Sequence, residues 1–259
     1  MFTEIERLHF TTIESTNTWA KQHVSKLALD KITVITASEQ TVGRGRFDRK
    51  WLSPVDQNVY ATYCFSLPNA IKMRNVSTLS LVLAISAAQI LQRLNFKVEL
   101  KWPNDLLLKG KKVGGLLCET LTVDGRLWVF LGIGLNINMP LELLDQIDQP
   151  ATSLLIQTGK QQEVESILKQ LNAQFIAHLN QFLEQGFTPF LDVYRKLICY
   201  QSGQKLTYRD GVGSVEGMYH SIDADGALNL LLSDGGLKKI VAGEIHLISP
   251  KAKSSVPEN

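Results

Sequence analysis

Residues 98 to 137 constrain the fold more than any other part of the chain, because their short apolar runs are cut at Pro103-Asn104-Asp105, Lys109-Gly110 and Asp124-Gly125. Those cuts are turn signals between paired strands, so the middle of the chain must form the centre of a β-sheet. Residues 7 to 13 alternate and end in the polar cluster Ser15, Thr16, Asn17, cap-like ahead of a helix over residues 18 to 26. A β-branched run at 32 to 36 leads into residues 40 to 54, which show no period of either kind and read as a loop. Residues 59 to 67 read as a strand and 79 to 94 as a buried helix. Val164, Ile167, Leu168, Leu171, Phe175, Leu179 and Phe182 share one helical stripe that stops before Gly186, giving a long amphipathic helix over the sheet.

After about residue 200 the pattern changes to short alternating strands separated by Asp210-Gly211, Asp225-Gly226 and Asp234-Gly235-Gly236, a small all-β module. The expected fold class is therefore α+β, a mixed but mostly antiparallel sheet with covering helices. The expected domains are residues 1–200, a small β domain at 201–250, and a polar, disordered tail at 251–259.

Charge separates some function classes. A formal net charge of +2 over 259 residues gives no global attraction to nucleic acid, so basic character has to be sought locally. The three cysteines, Cys64, Cys118 and Cys199, lack paired or CxxC spacing, which argues against a disulfide framework and a Cys-based zinc site and for a reducing compartment. The N-terminal residues do not read as a leader, and no apolar stretch is long enough to span a bilayer, so the expected location is cytoplasmic, with no membrane partner. The five histidines have no paired metal-ligand spacing, and no GxxxxGK[ST] phosphate loop is present.

Four motifs could carry chemistry. GRGRFDRKW, residues 43 to 51, places glycines among Arg44, Arg46, Arg49 and Lys50, so its backbone N–H groups and guanidiniums could enclose a carboxylate or phosphate. Taken alone, the same residues suit a solvated basic loop or a nucleic-acid contact. KWPNDLLL puts Lys101 at a strand end before a tight turn, where it could reach a phosphate or simply sit on an edge. VGGLLCE sets Gly114 and Gly115 inside an apolar run, marking close backbone approach by a ligand or another strand. GIGLNIN offers the Asn136 amide, able to match a base edge or to hold a turn.

ESTN at residues 14 to 17, the segment at 40 to 51, KWPND, VGGLL and GLNIN together resemble biotin–protein ligases, in order and rough spacing, over nearly the whole chain. The pair GRGRxxRxW and KWPND is the specific part, and Phe47 and Asp48 fill its variable positions. The resemblance implies a catalytic domain like that of class II aminoacyl-tRNA synthetases, with a C-terminal SH3-like barrel. It also implies ATP with magnesium, biotin as substrate, and the biotin carboxyl-carrier domain of a carboxylase as acceptor. Ser15, Thr16, Asn17 and Gln40 would surround the ureido ring, and Arg44, Gly45 and Arg46 would wrap the valeryl chain and carboxylate. Lys101 would bridge that carboxylate and the α-phosphate, with Arg46 as its catalytic partner. Trp51 and Asn136 would line the adenine, and Gly115 would allow close approach beside them.

The implied chemistry joins a carboxylate to the α-phosphorus of ATP, so cations must lower the repulsion between two anions, and a lid must keep water from the mixed anhydride. ESTN begins at Glu14, without room upstream for a helix-turn-helix domain, so DNA binding is not expected. A homodimer through a sheet edge is left open. A lipoate ligase of the same fold, and a non-catalytic nucleic-acid-binding protein using residues 44 to 50, remain the alternatives at this point.

Overall fold

The structure is a computed structural model that describes residues 2–67, 76–210 and 213–247; the tail expected at 251–259 lies outside the described residues. The chain divides into two compact units, Met1–Cys199 and Tyr200–Asn259.

The first unit is built on seven strands: β1 (Ile5–Ile13), β2 (Ile32–Gln40), β3 (Val59–Leu67), β4 (Val98–Lys101), β5 (Asp105–Leu108), β6 (Lys111–Val123) and β7 (Arg126–Leu135). They lie in the order β1-β2-β3-β7-β6-β5-β4. The pair β1–β2 is parallel and the other neighbours are antiparallel. The turn-punctuated stretch forms the meander β4 to β7, but it makes up one side of the sheet out to the β4 edge and not its centre, because β1, β2 and β3 all lie beyond β7. Its turns place Lys109 at φ 50°, Gly110 at 74°, Asp124 at 49° and Gly125 at 71°, the left-handed region that short hairpin turns require.

Among the described residues the unit also holds the α-helices α1 (Thr16–Gln22), α2 (Thr78–Arg93), α3 (Leu141–Leu144), α4 (Leu154–Thr158), α5 (Val164–Gln185) and α6 (Leu191–Leu197). Neighbouring residues on β3 show how the faces are shared. Thr62 meets α1, its hydroxyl 2.8 Å from Thr16 Oγ1, whereas the Tyr63 hydroxyl donates to Asn172 Oδ1 of α5 at 2.7 Å and its ring packs on Phe175. Adjacent strand residues point to opposite faces, so α1 and α5 lie on opposite sides of the sheet. α2 is buried almost all round because it lies on the same side as α5 and packs against both that helix and the sheet. The stripe expected on α5 is its buried face, and Gly186 ends it at φ 69°. On the α1 side, Ile35, Cys64, Trp128 and Phe130 pack with Ala20 and Leu27.

The first helix starts and stops earlier than expected. Ser15 alone is the N-cap, with Thr16 and Asn17 inside the helix. The helix ends at Gln22, where His23 turns its Nδ1 to the Trp19 carbonyl (2.9 Å), and a separate 3-10 turn follows at Val24–Lys26. β2 continues to Gln40 because Ile13 pairs with it across the sheet. α3, α4 and α6 fall in stretches too short to show a helical period.

The second unit holds β8 (Lys205–Arg209), β9 (Ser214–Ile222), β10 (Leu228–Leu231), β11 (Leu237–Ile240) and β12 (Glu244–Leu247), an antiparallel sheet in the order β11-β10-β9-β8-β12. Gly226 and Gly235 adopt φ 77° and 84° at the expected turns. The protein is thus α+β, with a large mixed sheet and a small antiparallel one.

Candidate active site

The α1 face of the large sheet has a floor cleared by glycines. Lys101, Asp105, Gly115, Gly134 and Tyr60 are successive cross-strand partners from β4 to β3 and therefore share that face. The Trp51 indole lies on the bare part of this row. A Cβ on Gly134 would collide with it, and one on Gly115 would come within 3.1 Å of its Cζ3. Gly132 is cleared for a different reason, since a Cβ there would strike Asn17 Oδ1.

Trp51 is held by its own segment. The stretch expected to be an irregular loop is a small hairpin, with Trp51 N donating to Gly43 O (2.9 Å), Gly45 N to Arg49 O (2.7 Å), and Arg44 bridging Lys50. At its tip, Phe47 and Asp48 adopt φ 54° and 56°. Gly43 is the position where packing demands glycine, because a Cβ would overlap Trp51 O; Gly45 has room for one at 3.5 Å. Arg46 donates to Asn104 Oδ1 (3.3 Å) in the KWPND turn and lies 4.9 Å from the Phe47 ring centre. Arg44 faces Glu119 Oε1 at 3.6 Å and Asp48 at 3.7 Å.

The consecutive residues Ser15, Thr16 and Asn17 meet the distant Gln40 at the α1 end of this face. Gln40 Oε1 accepts from Thr16 N (2.9 Å) and Thr16 Oγ1 (3.2 Å), while Gln40 Nε2 donates to Ser53 Oγ (2.9 Å), which donates to Trp51 O (3.0 Å). The Thr62 hydroxyl contacts Asn17 Oδ1 at 2.6 Å. Ser15 is buried and caps α1 through a long contact of 3.5 Å from Thr18 N, which leaves its hydroxyl proton for another acceptor.

Lys101 stands two strands away from Gly115 in the shared row, and its ammonium makes no hydrogen bond or ion pair with a described residue. With strands about 4.8 Å apart, its Cα is about 10 Å from that of Gly115. The lysine beside Trp51 is Lys112, which the motif reading did not single out. Its Nζ is 5.5 Å from the indole centre and 2.7 Å from Asp105 Oδ1, an ion pair not aligned as a hydrogen bond. A β-bulge puts it there. Leu106 pairs with Gly114 but Leu107 with Lys112, so Val113 is the extra residue and Lys112 turns onto the face of Asp105 and Gly115.

Asn136 is buried at the end of β7, where Nδ2 donates to the Thr152 carbonyl (3.2 Å) and its own carbonyl accepts from Leu154 N (3.1 Å). Its amide thus pins the segment that follows. Asn138 does the same to Gln162, donating to its carbonyl and accepting from its N–H, both at 2.8 Å. The Trp51 Nε1–H is buried without a partner among the described residues, a donor that an occupant of the face could satisfy.

Glu119 ties the polar end to the hairpin. Burial opposes its ionisation, but hydrogen bonds from Lys21 and Asn17 and the charges of Lys21 and Arg44 prevail, holding the carboxyl below its ordinary range. Asn17 Nδ2 donates to Glu119 Oε2 at 3.0 Å and Lys21 Nζ to Oε1 at 2.5 Å.

The site is thus a mixed sheet with one face kept bare by glycines, under a cationic hairpin that seats a tryptophan. The chain superimposes on the biotin protein ligase of Aquifex aeolicus in complex with biotin and ATP with a TM-score of 0.78 at 28% identity, covering 95% of this chain and 99% of that one. The sequence pattern of the Biotin/lipoate A/B protein ligase family matches residues 9–138, and the chain belongs to that family. It is 33% identical over 240 residues to the bifunctional ligase/repressor BirA of Salmonella typhimurium, covering 92% of this chain and 72% of that protein. It is 30% identical over 218 residues to the protein of the same name from Bacillus subtilis, where the match covers 83% of this chain and spans 66% of the relative's length.

Proposed function

We propose that the chain is an ATP-dependent biotin–protein ligase, which forms biotinyl-5′-AMP and transfers the biotinyl group to a lysine of a biotin carboxyl-carrier domain. The observation that carries this reading is the joining of two subsites on one face. A polar cluster of Ser15, Thr16, Asn17 and Gln40 suits a ureido ring, and a glycine-cleared floor with Trp51 and Lys112 suits an adenylate. Arg44 and Arg46 are turned inward onto Glu119 and Asn104, which favours an enclosing hairpin over an outward nucleic-acid contact.

In the first half-reaction the biotin carboxylate attacks the α-phosphorus and pyrophosphate leaves. Lys112, with Lys101 further along the row and Arg46 above the turn, offsets the repulsion between carboxylate and phosphate. Asn136 acts at the adenylate end through the segment it pins, and Gly45 through its backbone. In the second half-reaction an acceptor lysine amine attacks the acyl carbon, AMP leaves, and the amine loses its proton. Among the described residues no cluster of three or more His, Cys, Asp or Glu is placed to hold a metal. Magnesium enters as the counter-ion of the triphosphate, part of the substrate. An ATP-supplied, reducing cytoplasm suits an enzyme whose three cysteines are unpaired; no helix of the described residues is long and apolar enough to cross a membrane.

The test is pyrophosphate release by purified protein with ATP and magnesium, in the presence of biotin, of lipoate, or of neither. Biotin-dependent release is expected. Lys112→Ala should lower it by about 10² to 10³-fold, the loss typical of a preorganised transition-state donor, and Lys101→Ala by clearly less. Release dependent on lipoate alone, or on neither acid, would sink the reading.

A further inference from the structure

Glu119 contacts neither the Trp51 floor nor Lys112, yet all its charge partners belong to elements that frame the polar pocket. Its oxygens are divided between two tasks. Oε2 accepts from Asn17 Nδ2 (3.0 Å), while Oε1 accepts from Lys21 Nζ (2.5 Å) and faces Arg44 of the hairpin (3.6 Å). The Leu117 carbonyl, 3.3 Å from Asn17 Nδ2, is a second acceptor on the same side. An ionised carboxylate only accepts hydrogen bonds, so Asn17 must turn its NH2 toward Glu119 and its oxygen toward Thr62.

That orientation sets the direction of the network beyond it. Asn17 Oδ1 cannot donate, so the Thr62 hydroxyl gives its proton to Asn17 and presents only lone pairs to Thr16 Oγ1, 2.8 Å away. Two hydroxyl protons then serve three contacts: Thr62 to Asn17, Thr16 to Thr62, and Thr16 to Gln40. If Asn17 were flipped, an NH2 would meet Thr62 and the donor direction would reverse. A ureido ring, with one acceptor oxygen and two N–H donors, discriminates strongly between those two patterns.

We infer that Glu119 is a positioning residue for the acid substrate: it fixes the donor–acceptor polarity of the Thr16–Asn17–Gln40 part of the pocket through Asn17 and couples that pocket to the hairpin through Arg44. This rests on the biotin reading above. Glu119 has no contact with Trp51, so its effect belongs to the acid and not to the nucleotide.

The test is steady-state pyrophosphate release with biotin and ATP varied separately, on wild type, Glu119→Ala, Glu119→Gln, Asn17→Ala and the double variant Asn17→Ala/Glu119→Ala. Loss of one charged hydrogen bond in a buried network predicts that Glu119→Ala raises the KM for biotin by about ten- to a hundredfold, with the KM for ATP unchanged. Glu119→Gln, which keeps an acceptor oxygen for Asn17 but not the charge facing Arg44, should fall between. In the Asn17→Ala background, removing Glu119 should add about threefold or less, because residues acting through one another are not additive. Equal rises in both KM values, or single effects that multiply in the double variant, would overturn the inference. If Glu119→Ala does not fold, the isosteric Glu119→Gln decides between the same outcomes. Wild-type protein without biotin-dependent release would instead refute the ligase reading itself.

Discussion

Gly134→Ala is the substitution whose outcome the structure determines most sharply. The added methyl would occupy the volume of the Trp51 indole, overlapping Cε2, Nε1 and Cζ2, so one of the two must move. The β7 backbone is paired on both sides, with β3 and with β6, whereas the indole projects from a surface hairpin, so the indole is displaced. Alanine in a strand interior recovers about 0.5–1 kcal/mol relative to glycine, and losing part of one indole's burial costs about 1–2 kcal/mol. Thermal stability should therefore fall only slightly. The nucleotide step should suffer much more. Stacking of a base on an aromatic ring is worth about 1–3 kcal/mol, which corresponds to a rise of about 5- to 150-fold in the KM for ATP, with the KM for biotin little changed. Gly115→Ala is the internal control: its methyl would lie 3.1 Å from Trp51 Cζ3 and from Lys112 Cε, an approach that a few tenths of an ångström relieve. An effect of about threefold or less follows from about 0.6 kcal/mol of adjustment. The assay is initial-rate pyrophosphate release against ATP concentration, paired with thermal unfolding. Unchanged ATP kinetics in folded Gly134→Ala would refute the placement of Trp51 as the nucleotide's platform, and equal defects in both variants would refute the steric ranking.

Two further outcomes follow from titratable groups that are partly or fully buried elsewhere in the fold. Burial first, then the Arg93 charge, pushes the His178 pKa down; Gln174 Oε1 accepts from Arg93, so its Nε2 donates to His178 Nε2, and Nδ1–H donates to Ser86. The neutral ring is the native form, so its stabilisation is complete above about pH 6.5 and is lost as pH falls through the lower folded value. His178→Gln should flatten the decline of Tm on the acid side of pH 6.5, and an unchanged pH profile would contradict the assignment. Burial raises the thiols of Cys118 and Cys199 to about 12 and that of Cys64 further. None should be alkylated by a thiolate-selective reagent at neutral pH until the protein is unfolded, as mass spectrometry would show; fast native labelling of any of them would contradict its burial.

The fold was most legible where local signals and long-range pairing agree. Lys109-Gly110 and Asp124-Gly125 mark turns whichever strands they join, and the α5 stripe ending at Gly186 needs no tertiary information to be seen. The hairpin at residues 43 to 51 was not legible because its strands are too short for a period and hold together through Gly43, Arg44 and Trp51 backbone contacts. Nor does any period reveal that Thr62 belongs with Ser15, Thr16, Asn17 and Gln40. A single threonine inside a wholly buried strand looks like any other β-branched residue until α1 is laid across it.

Lys112 marks the limit of motif reading most clearly. Strict alternation along β6 would place it on the face of Gly114, opposite Gly115 and away from Trp51. The bulge at Val113 reverses that parity, and it arises from the pairing of β5 with β6 rather than from any residue type that signals a bulge. Lys101 ends a strand before a turn and therefore draws attention, yet Asp105 and Gly115 separate it from the indole along the row. Deleting Val113 should restore ordinary alternation with Lys112 directly before Gly114 and still opposite Leu107, so the lysine stays on the face of Asp105 and Gly115. A folded deletion variant should therefore keep much of the pyrophosphate release that Lys112→Ala loses. Release as low as that of Lys112→Ala would mean that the face on which the lysine stands does not by itself set the position of the charge.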